Sequence, residues 1–89
     1  MTSRNFRIIN EKGLHARASA KFVETVEAHD AEAQVSKDGM EVSGDSIMGL
    51  LMLAASRGTS IDVRTSGPDA EKLADALEAL VADRFGESC

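Results

Sequence analysis

The sequence is poor in aromatic residues and in cysteine. Of its 89 residues, three are Phe, none is Trp or Tyr, and the single Cys is the last residue. So few aromatic rings exclude a stacking surface for exposed nucleobases, and the core must be built mainly from aliphatic side chains. One Cys cannot form an internal disulfide, which is typical of a reducing compartment. We expect no functional role for Cys89.

Positive charge is also scarce. Ten Lys and Arg residues stand against fifteen Asp and Glu residues, a net charge of -5. This balance opposes binding to a phosphate backbone, so we do not expect a nucleic-acid partner. The N-terminus has no signal-peptide pattern, and no apolar run approaches the roughly 18 residues of a membrane span. We therefore expect a cytoplasmic protein that does not insert into membranes, and we also expect it to be a monomer.

The order of the hydrophobic patterns predicts one α+β domain over residues 1–89. Alternation predicts strands at 5–9, at 32–43 with a hairpin turn at Asp38-Gly39, and at 60–65. Apolar stripes at helical spacing predict helices starting at or just after His15, over 46–55, and from Pro68 to a stop at Gly86. The order is βαββαβα. We expect three helices to cover one face of a four-stranded antiparallel sheet, an open-faced two-layer sandwich with a split βαβ arrangement.

The segment GLHARAS, residues 13–19, places a histidine where the first helix begins. The unpaired N–H groups there carry partial positive charge, which disfavours imidazolium, so we expect a neutral, nucleophilic ring near pH 7. If the ring carried a phosphoryl group, the amides of Ala16 and Arg17 and the Arg17 guanidinium could neutralise its oxygens. We expect Gly13, without a side chain, to let a partner protein come close. The arrangement predicts that His15 is a covalent phosphoryl acceptor.

Other interpretations of the histidine stay open or are disfavoured. His15 could simply cap the helix, with Arg17 an ordinary solvated residue. Metal binding is disfavoured because His29 is the only other histidine, and it is better placed to complement the end of the first helix. Hydrolysis would need a second acid or base, and nucleotide binding a Gly-rich loop. We therefore predict a carrier without cofactor or metal, to which another protein presents the phosphoryl donor.

Two segments together resemble the HPr family, the histidine-containing phosphocarriers of the bacterial phosphoenolpyruvate-dependent phosphotransferase system. GLHAR resembles the family's active-site motif, and GDSIMGLLML, residues 44–53, resembles the segment around its regulatory serine; the similarity covers nearly the whole chain. It implies that enzyme I phosphorylates His15 on Nδ1, that the group passes to an enzyme IIA protein, and that the sheet order is 1-4-2-3. The protein would be a phosphoryl carrier and not an enzyme.

The second motif concerns Ser46 and the helix that follows it. Ser46 suits the N-cap of that helix, and the resemblance implies that an HPr kinase/phosphorylase modifies it in organisms that have one. The helix is apolar on nearly every side, with Leu50, Leu53 and Ala54 on one of them. We expect the opposite side to be an exposed docking patch, unless the whole helix is buried. The predicted partner-binding residues are Ile47, Met48, Leu51 and Met52, together with Lys21 of the first helix.

Two departures from the family pattern bear on the partners. Ala18 stands where many members have proline, and Glu24 and Glu27 stand where many have lysine. They suggest a divergent branch, and the sequence leaves open whether the phosphoryl group goes to a sugar transporter or to a nitrogen- or carbon-control branch. A regulatory adaptor of the same fold, acting through Ser46 phosphorylation and protein binding, is one rival function. An unrelated split-βαβ domain for a small ligand, indifferent to replacement of His15, is another.

Overall fold

A computed structural model describes residues 1–87 of the chain. The element order is the predicted βαββαβα, followed by a short 3₁₀ turn at Arg84–Gly86. The strands are β1 (Thr2–Arg7), β2 (Glu32–Lys37), β3 (Met40–Ser43) and β4 (Ser60–Ser66). The helices are α1 (Ala16–Glu27), α2 (Ile47–Met52) and α3 (Ala70–Ala82).

The four strands form one antiparallel sheet in the order β1-β4-β2-β3. This confirms the order that the family resemblance implies. β4 lies in the centre, with Phe6 of β1 opposite Ile61 and Val35 of β2 opposite Val63. These residues are buried, whereas their strand neighbours Asn5 and Asp62 are exposed. The alternation gives the sheet one covered face and one solvated face.

The core is aliphatic with three phenylalanines. Phe22 of α1 and Phe85 of the final turn are fully buried, and Phe6 of β1 is 5% exposed. The other large, fully buried apolar side chains are Ile8, Leu50, Ile61, Leu73, Leu77, Val35 and Val63. Because α1, α3 and the final turn all contribute to this cluster, the core fixes the start of α1 relative to the end of the chain.

Several element boundaries differ from those predicted. β1 is displaced toward the N-terminus, although the buried Ile8 still donates its N–H to the Thr59 carbonyl at 2.8 Å. α2 ends three residues early because Ala54 has a φ of 50°, which is incompatible with a continuing helix. α3 begins after Pro68, with Asp69 at the N-cap. The hairpin prediction is confirmed: Asp38 and Gly39 both have positive φ, 51° and 84°.

No helix among residues 1–87 has the length and apolar character required to span a bilayer.

Candidate functional site

His15 occupies the N-cap of α1, as the sequence predicted. Its backbone is extended, with φ of -79° and ψ of -176°, and its carbonyl accepts the first helical hydrogen bond from the Ser19 N–H at 2.8 Å. The Nδ1 atom accepts a hydrogen bond from the backbone N–H of Arg17 at 3.3 Å. The side chain is 29% exposed. The ring is therefore held by the helix end and still accessible to solvent.

The other ring nitrogen is bonded to a residue that no sequence motif indicates. Nε2 of His15 forms a hydrogen bond with Oε2 of Glu87. The pKa of this carboxyl is lowered, chiefly by the hydrogen bond from His15 and further by the hydrogen bond from Asn10 and the charge of Lys12, while desolvation by burial raises it. An ionised carboxylate can only accept, so Nε2 carries the proton and donates. Nδ1 keeps its lone pair, and both contacts select the same tautomer.

Asn10 connects the loop before α1 with the end of the chain. It is fully buried. Its Nδ2 donates to the Gly13 carbonyl at 2.7 Å and to Oε1 of Glu87 at 3.2 Å. Its Oδ1 is buried and has no hydrogen-bond partner among residues 1–87. Asn10 and His15 therefore bond different oxygens of the same Glu87 carboxylate.

A tight turn over residues 83–87, here named the C-terminal turn, returns the chain to His15. Arg84, Phe85 and Gly86 are successively left-handed, with φ of 53°, 55° and 77°. The fully buried ring of Phe85 anchors the turn in the core, and Nζ of Lys21 donates to the Phe85 carbonyl at 2.6 Å. The left-handed conformation costs free energy at the non-glycine residues Arg84 and Phe85. The packing of Phe85 and the contact with Lys21 stabilise it.

These groups surround an open depression of about 610 Å³. It is lined by Glu11, Lys12, His15, Ala16, Arg17, Lys21, Gly86 and Glu87. Three of these side chains are cationic in a chain whose net charge is -5. The structure therefore brings together the predicted His15, Ala16, Arg17 and Lys21 in a locally basic site that suits an anionic group.

Gly13 does not have the role expected for it. It is buried, with φ of +66°, and a Cβ there would lie 2.5 Å from the Ala55 carbonyl oxygen and 2.9 Å from Cα of Ser56. That carbonyl accepts the Leu14 N–H at 2.8 Å. The expectation of close partner approach is wrong, because the space is already filled by the segment after α2. Gly13 is required by internal packing.

The predicted regulatory and docking residues lie on α2. Ser46 is the N-cap, and its Oγ accepts the Gly49 N–H at 3.0 Å. Leu50 is fully buried and Leu53 is 4% exposed. The four residues of the predicted docking patch are exposed: Ile47 41%, Met48 70%, Leu51 36% and Met52 64%. Their exposure is confirmed, whereas Ala54, expected on the covered side, is exposed.

The second histidine contributes nothing to the site. Nδ1 of His29 donates to the Thr25 carbonyl at 2.8 Å, which confirms its predicted place at the end of α1. Among residues 1–87, no three His, Cys, Asp or Glu side chains cluster in a way that could hold a metal ion. Cys89 lies outside the described residues.

Nothing in the sequence pattern marks Asn10 or Glu87 as a residue of the site. Asn10 directly follows the predicted first strand, and Glu87 follows the predicted helix stop at Gly86 in a segment without periodicity. A weak signal existed in Phe85, an apolar residue beyond the last stripe of α3, which indicates that the chain returns to the core. Nothing in the local sequence indicates where Glu87 then points.

Comparison with known proteins agrees with this geometry. Residues 2–83 match the profile of the family described as the PTS HPr component phosphorylation site, PTS being the phosphotransferase system. The chain is 46% identical over 87 residues to phosphocarrier protein HPr of Cupriavidus necator, covering 98% of both chains.

Two solved structures are also close to this one. HPr-C-His from Thermoanaerobacter tengcongensis superposes with a TM-score of 0.95, at 36% identity and over 100% of both chains. Phosphocarrier protein HPr from Bacillus anthracis superposes with a TM-score of 0.85, at 36% identity, over 90% of this chain and 95% of its own. The chain therefore belongs to the HPr family, the non-enzymatic phosphocarriers of the phosphotransferase system.

Proposed function

We propose that Nδ1 of His15 accepts a phosphoryl group from enzyme I and passes it to an enzyme IIA-type protein in a cytoplasmic relay. The observation that carries this proposal is the state of the ring. Its Nδ1 lone pair sits at the first turn of α1 and beside a locally basic depression, while Nε2 is occupied by Glu87. Nδ1 is therefore the ring nitrogen whose lone pair can act as a nucleophile, once it gives up the long hydrogen bond from the Arg17 N–H.

The transfer step follows from that arrangement. The Nδ1 lone pair attacks the phosphorus of a phosphohistidine on the donor; the new N–P bond forms as the donor's P–N bond breaks, and that electron pair returns to the donor's ring. Nδ1 can then no longer accept from the Arg17 N–H. This amide becomes available to a phosphoryl oxygen, together with the neighbouring Ala16 amide at the positive end of the helix.

The guanidinium of Arg17 supports the same role. The Arg17 side chain is exposed, and none of the ion pairs among residues 1–87 involves it. A planar fork of donors without a carboxylate partner suits the phosphoryl oxygens. Lys21 is instead engaged with the Phe85 carbonyl, so its main contribution is to the position of the C-terminal turn and to the local positive charge.

Intact mass measurement after incubation with phosphoenolpyruvate and enzyme I tests the acceptor. Wild type should gain one acid-labile phosphoryl group, His15→Ala should gain none, and the matched control His29→Ala should behave as wild type. Phosphorylation of His15→Ala would refute the assignment. No transfer from an enzyme I that is active on another HPr would favour the regulatory adaptor of the same fold. The unrelated small-ligand domain is already excluded by membership of the family.

The docking surface is proposed to be the patch of Ile47, Met48, Leu51 and Met52. Its four side chains are exposed apolar neighbours on one helix, and two of them are flexible methionines. Ile47→Asp should slow transfer from enzyme I at least several-fold while the protein stays folded. Met40→Asp is the matched control, because Met40 is 43% exposed but lies on β3. Equal rates for both variants would argue against the patch.

We also propose that phosphorylation of Ser46, by an HPr kinase/phosphorylase where one is present, inhibits docking. Ser46 is partly exposed and directly precedes the apolar patch, and Asp45 beside it is already an exposed acid. A phosphate would bring about two negative charges to the edge of a surface that must be desolvated on binding. Ser46→Asp should therefore slow His15 phosphorylation. An unchanged rate would count against this regulation.

A further inference from the structure

The contact between His15 and Glu87 is not used by the transfer step above. The Glu87 side chain is only 15% exposed, and each of its carboxylate oxygens is bonded, one to Nε2 of His15 and the other to Nδ2 of Asn10. This position is unexpected for a carboxylate, because its negative charge opposes the approach of an anionic phosphoryl group to His15.

The reason lies in how the charge of the ring changes. Before transfer, the ring is neutral with its proton on Nε2. When Nδ1 bonds phosphorus, the ring keeps that proton and becomes a phosphorylated imidazolium with a positive charge. The carboxylate then faces a charged N–H, and hydrogen bonds between two charged groups are stronger than those with one.

The proton on Nε2 also decides how easily the phosphoryl group leaves. When the P–N bond breaks, its electron pair returns to Nδ1. If Nε2 still carries its proton, the ring departs as neutral imidazole. If the proton has been lost, the ring must depart as imidazolate, a far poorer leaving group. A group that retains the Nε2 proton therefore keeps the phosphoryl group transferable.

We propose that Glu87 is a positioning residue that retains the proton on Nε2 of His15 while the ring carries the phosphoryl group, and that Asn10 fixes Glu87 in place. The inference rests on His15 being the acceptor. Asn10 is fully buried, and Phe85 and Lys21 anchor the turn that delivers Glu87. The carboxylate is thus part of a rigid support for the ring.

The charged groups around the pair come from every element that packs there. The loop before α1 supplies Glu11 and Lys12, α1 supplies Arg17 and Lys21, and the C-terminal turn supplies Glu87 itself. Lys12 helps to keep Glu87 ionised, and the lowered pKa of Glu87 agrees with a carboxylate that stays charged at neutral pH. Among the described residues, Glu87 is the carboxylate bonded to the ring.

The pH dependence of phosphohistidine hydrolysis tests the proposal. Water attacks phosphorus, the P–N bond breaks toward Nδ1, and the protons of the water remain with phosphate and solvent. Phosphorylated wild type and Glu87→Gln are followed by ³¹P NMR from weakly acidic to weakly basic pH. Glutamine keeps the shape but loses the charge, so the midpoint of the profile should fall by about 0.5 to 1 pH unit. Above the midpoint, hydrolysis should be about 3- to 10-fold slower.

Glu78→Gln is the matched control, since Glu78 is a carboxylate of α3 paired with Arg4. Its profile should equal that of wild type. If Glu87→Gln accepts the phosphoryl group and gives the wild-type profile, Glu87 has no such role although His15 remains the acceptor. If wild type accepts no group, the proposed function fails and this inference fails with it.

A second measurement does not depend on any variant. The ¹⁵N shifts of the unphosphorylated wild-type ring should show a protonated Nε2 and an unprotonated Nδ1 at neutral pH. The opposite tautomer would overturn the proposal.

Discussion

Replacing Gly13 by alanine tests whether the missing side chain at this position serves internal packing or the approach of a partner protein. Two costs arise in the folded protein. Alanine at a φ of +66° adopts the left-handed region at a cost of about 1–2 kcal/mol. Its Cβ would also lie 2.5 Å from the Ala55 carbonyl oxygen, and backbone on both sides must shift, at about 1–3 kcal/mol. Alanine also lowers the conformational entropy of the unfolded chain, which offsets about 0.4–1 kcal/mol of the destabilisation. These ranges combine to a net loss of about 1–5 kcal/mol, with a middle value of about 3 kcal/mol.

Gly39→Ala is the matched control. Gly39 also has positive φ, +84°, but nothing lies within 4 Å of its Cβ position. It should therefore cost only the backbone term, about 1 kcal/mol after the entropy correction. The difference between the two variants isolates the clash. Because the chain has no Trp or Tyr, unfolding in urea should be followed by far-ultraviolet circular dichroism and not by intrinsic fluorescence.

The result that refutes this reasoning is a Gly13→Ala variant no less stable than Gly39→Ala. If that variant also lost transfer from enzyme I while keeping its stability, the original interpretation of Gly13 as an opening for the partner would be restored. A destabilised variant that still accepts the phosphoryl group, at a temperature where it is folded, would show that the packing of the loop and the chemistry are separable.

Three further predictions concern the site and its supports. Phe85→Ala removes a fully buried ring and should lower the unfolding free energy by about 3–5 kcal/mol in urea titrations; a loss below about 1 kcal/mol would contradict its role as an anchor. Ser46→Ala removes the N-cap bond to Gly49 and should cost about 1 kcal/mol without lowering the mass-detected phosphorylation of His15. Glu87 has a folded-state pKa below its ordinary value, so the stability it contributes is complete above that ordinary value and is lost as the pH falls through the folded-state value. Acid titration should therefore destabilise wild type more than Glu87→Gln, and identical acid sensitivity would contradict this.

The parts of the structure that were predicted correctly depend on local patterns. The start of α1 at His15 follows from apolar spacing and a vacant helix end, and the β2–β3 hairpin follows from Asp38-Gly39. The end of α2 was missed because Ala54 adopts positive φ although its side chain continues the apolar run. Alanine rarely adopts the left-handed region, so no local pattern predicts that the helix ends here.

The site was predicted in part for the same reason. His15, Ala16 and Arg17 are neighbours in sequence, so their motif places them together on one helix end. Glu87 reaches His15 only because the three-residue left-handed turn follows α3, and no local pattern predicts that contact. Gly13 shows that a residue type can be informative while its surroundings cannot be predicted. Its lack of a side chain is visible in the sequence, but whether a partner or the chain itself fills the space depends on Ala55.

The contact between His15 and Glu87 joins positions 72 residues apart in the chain. Closing so long a loop costs conformational entropy, which the packing of the sheet and α3 must offset, so this contact depends on the order of most of the chain. A chain whose C-terminal turn is not anchored by Phe85 and Lys21 would carry His15 on a helix end without its carboxylate partner, so the state of the ring reports on packing at the far side of the core.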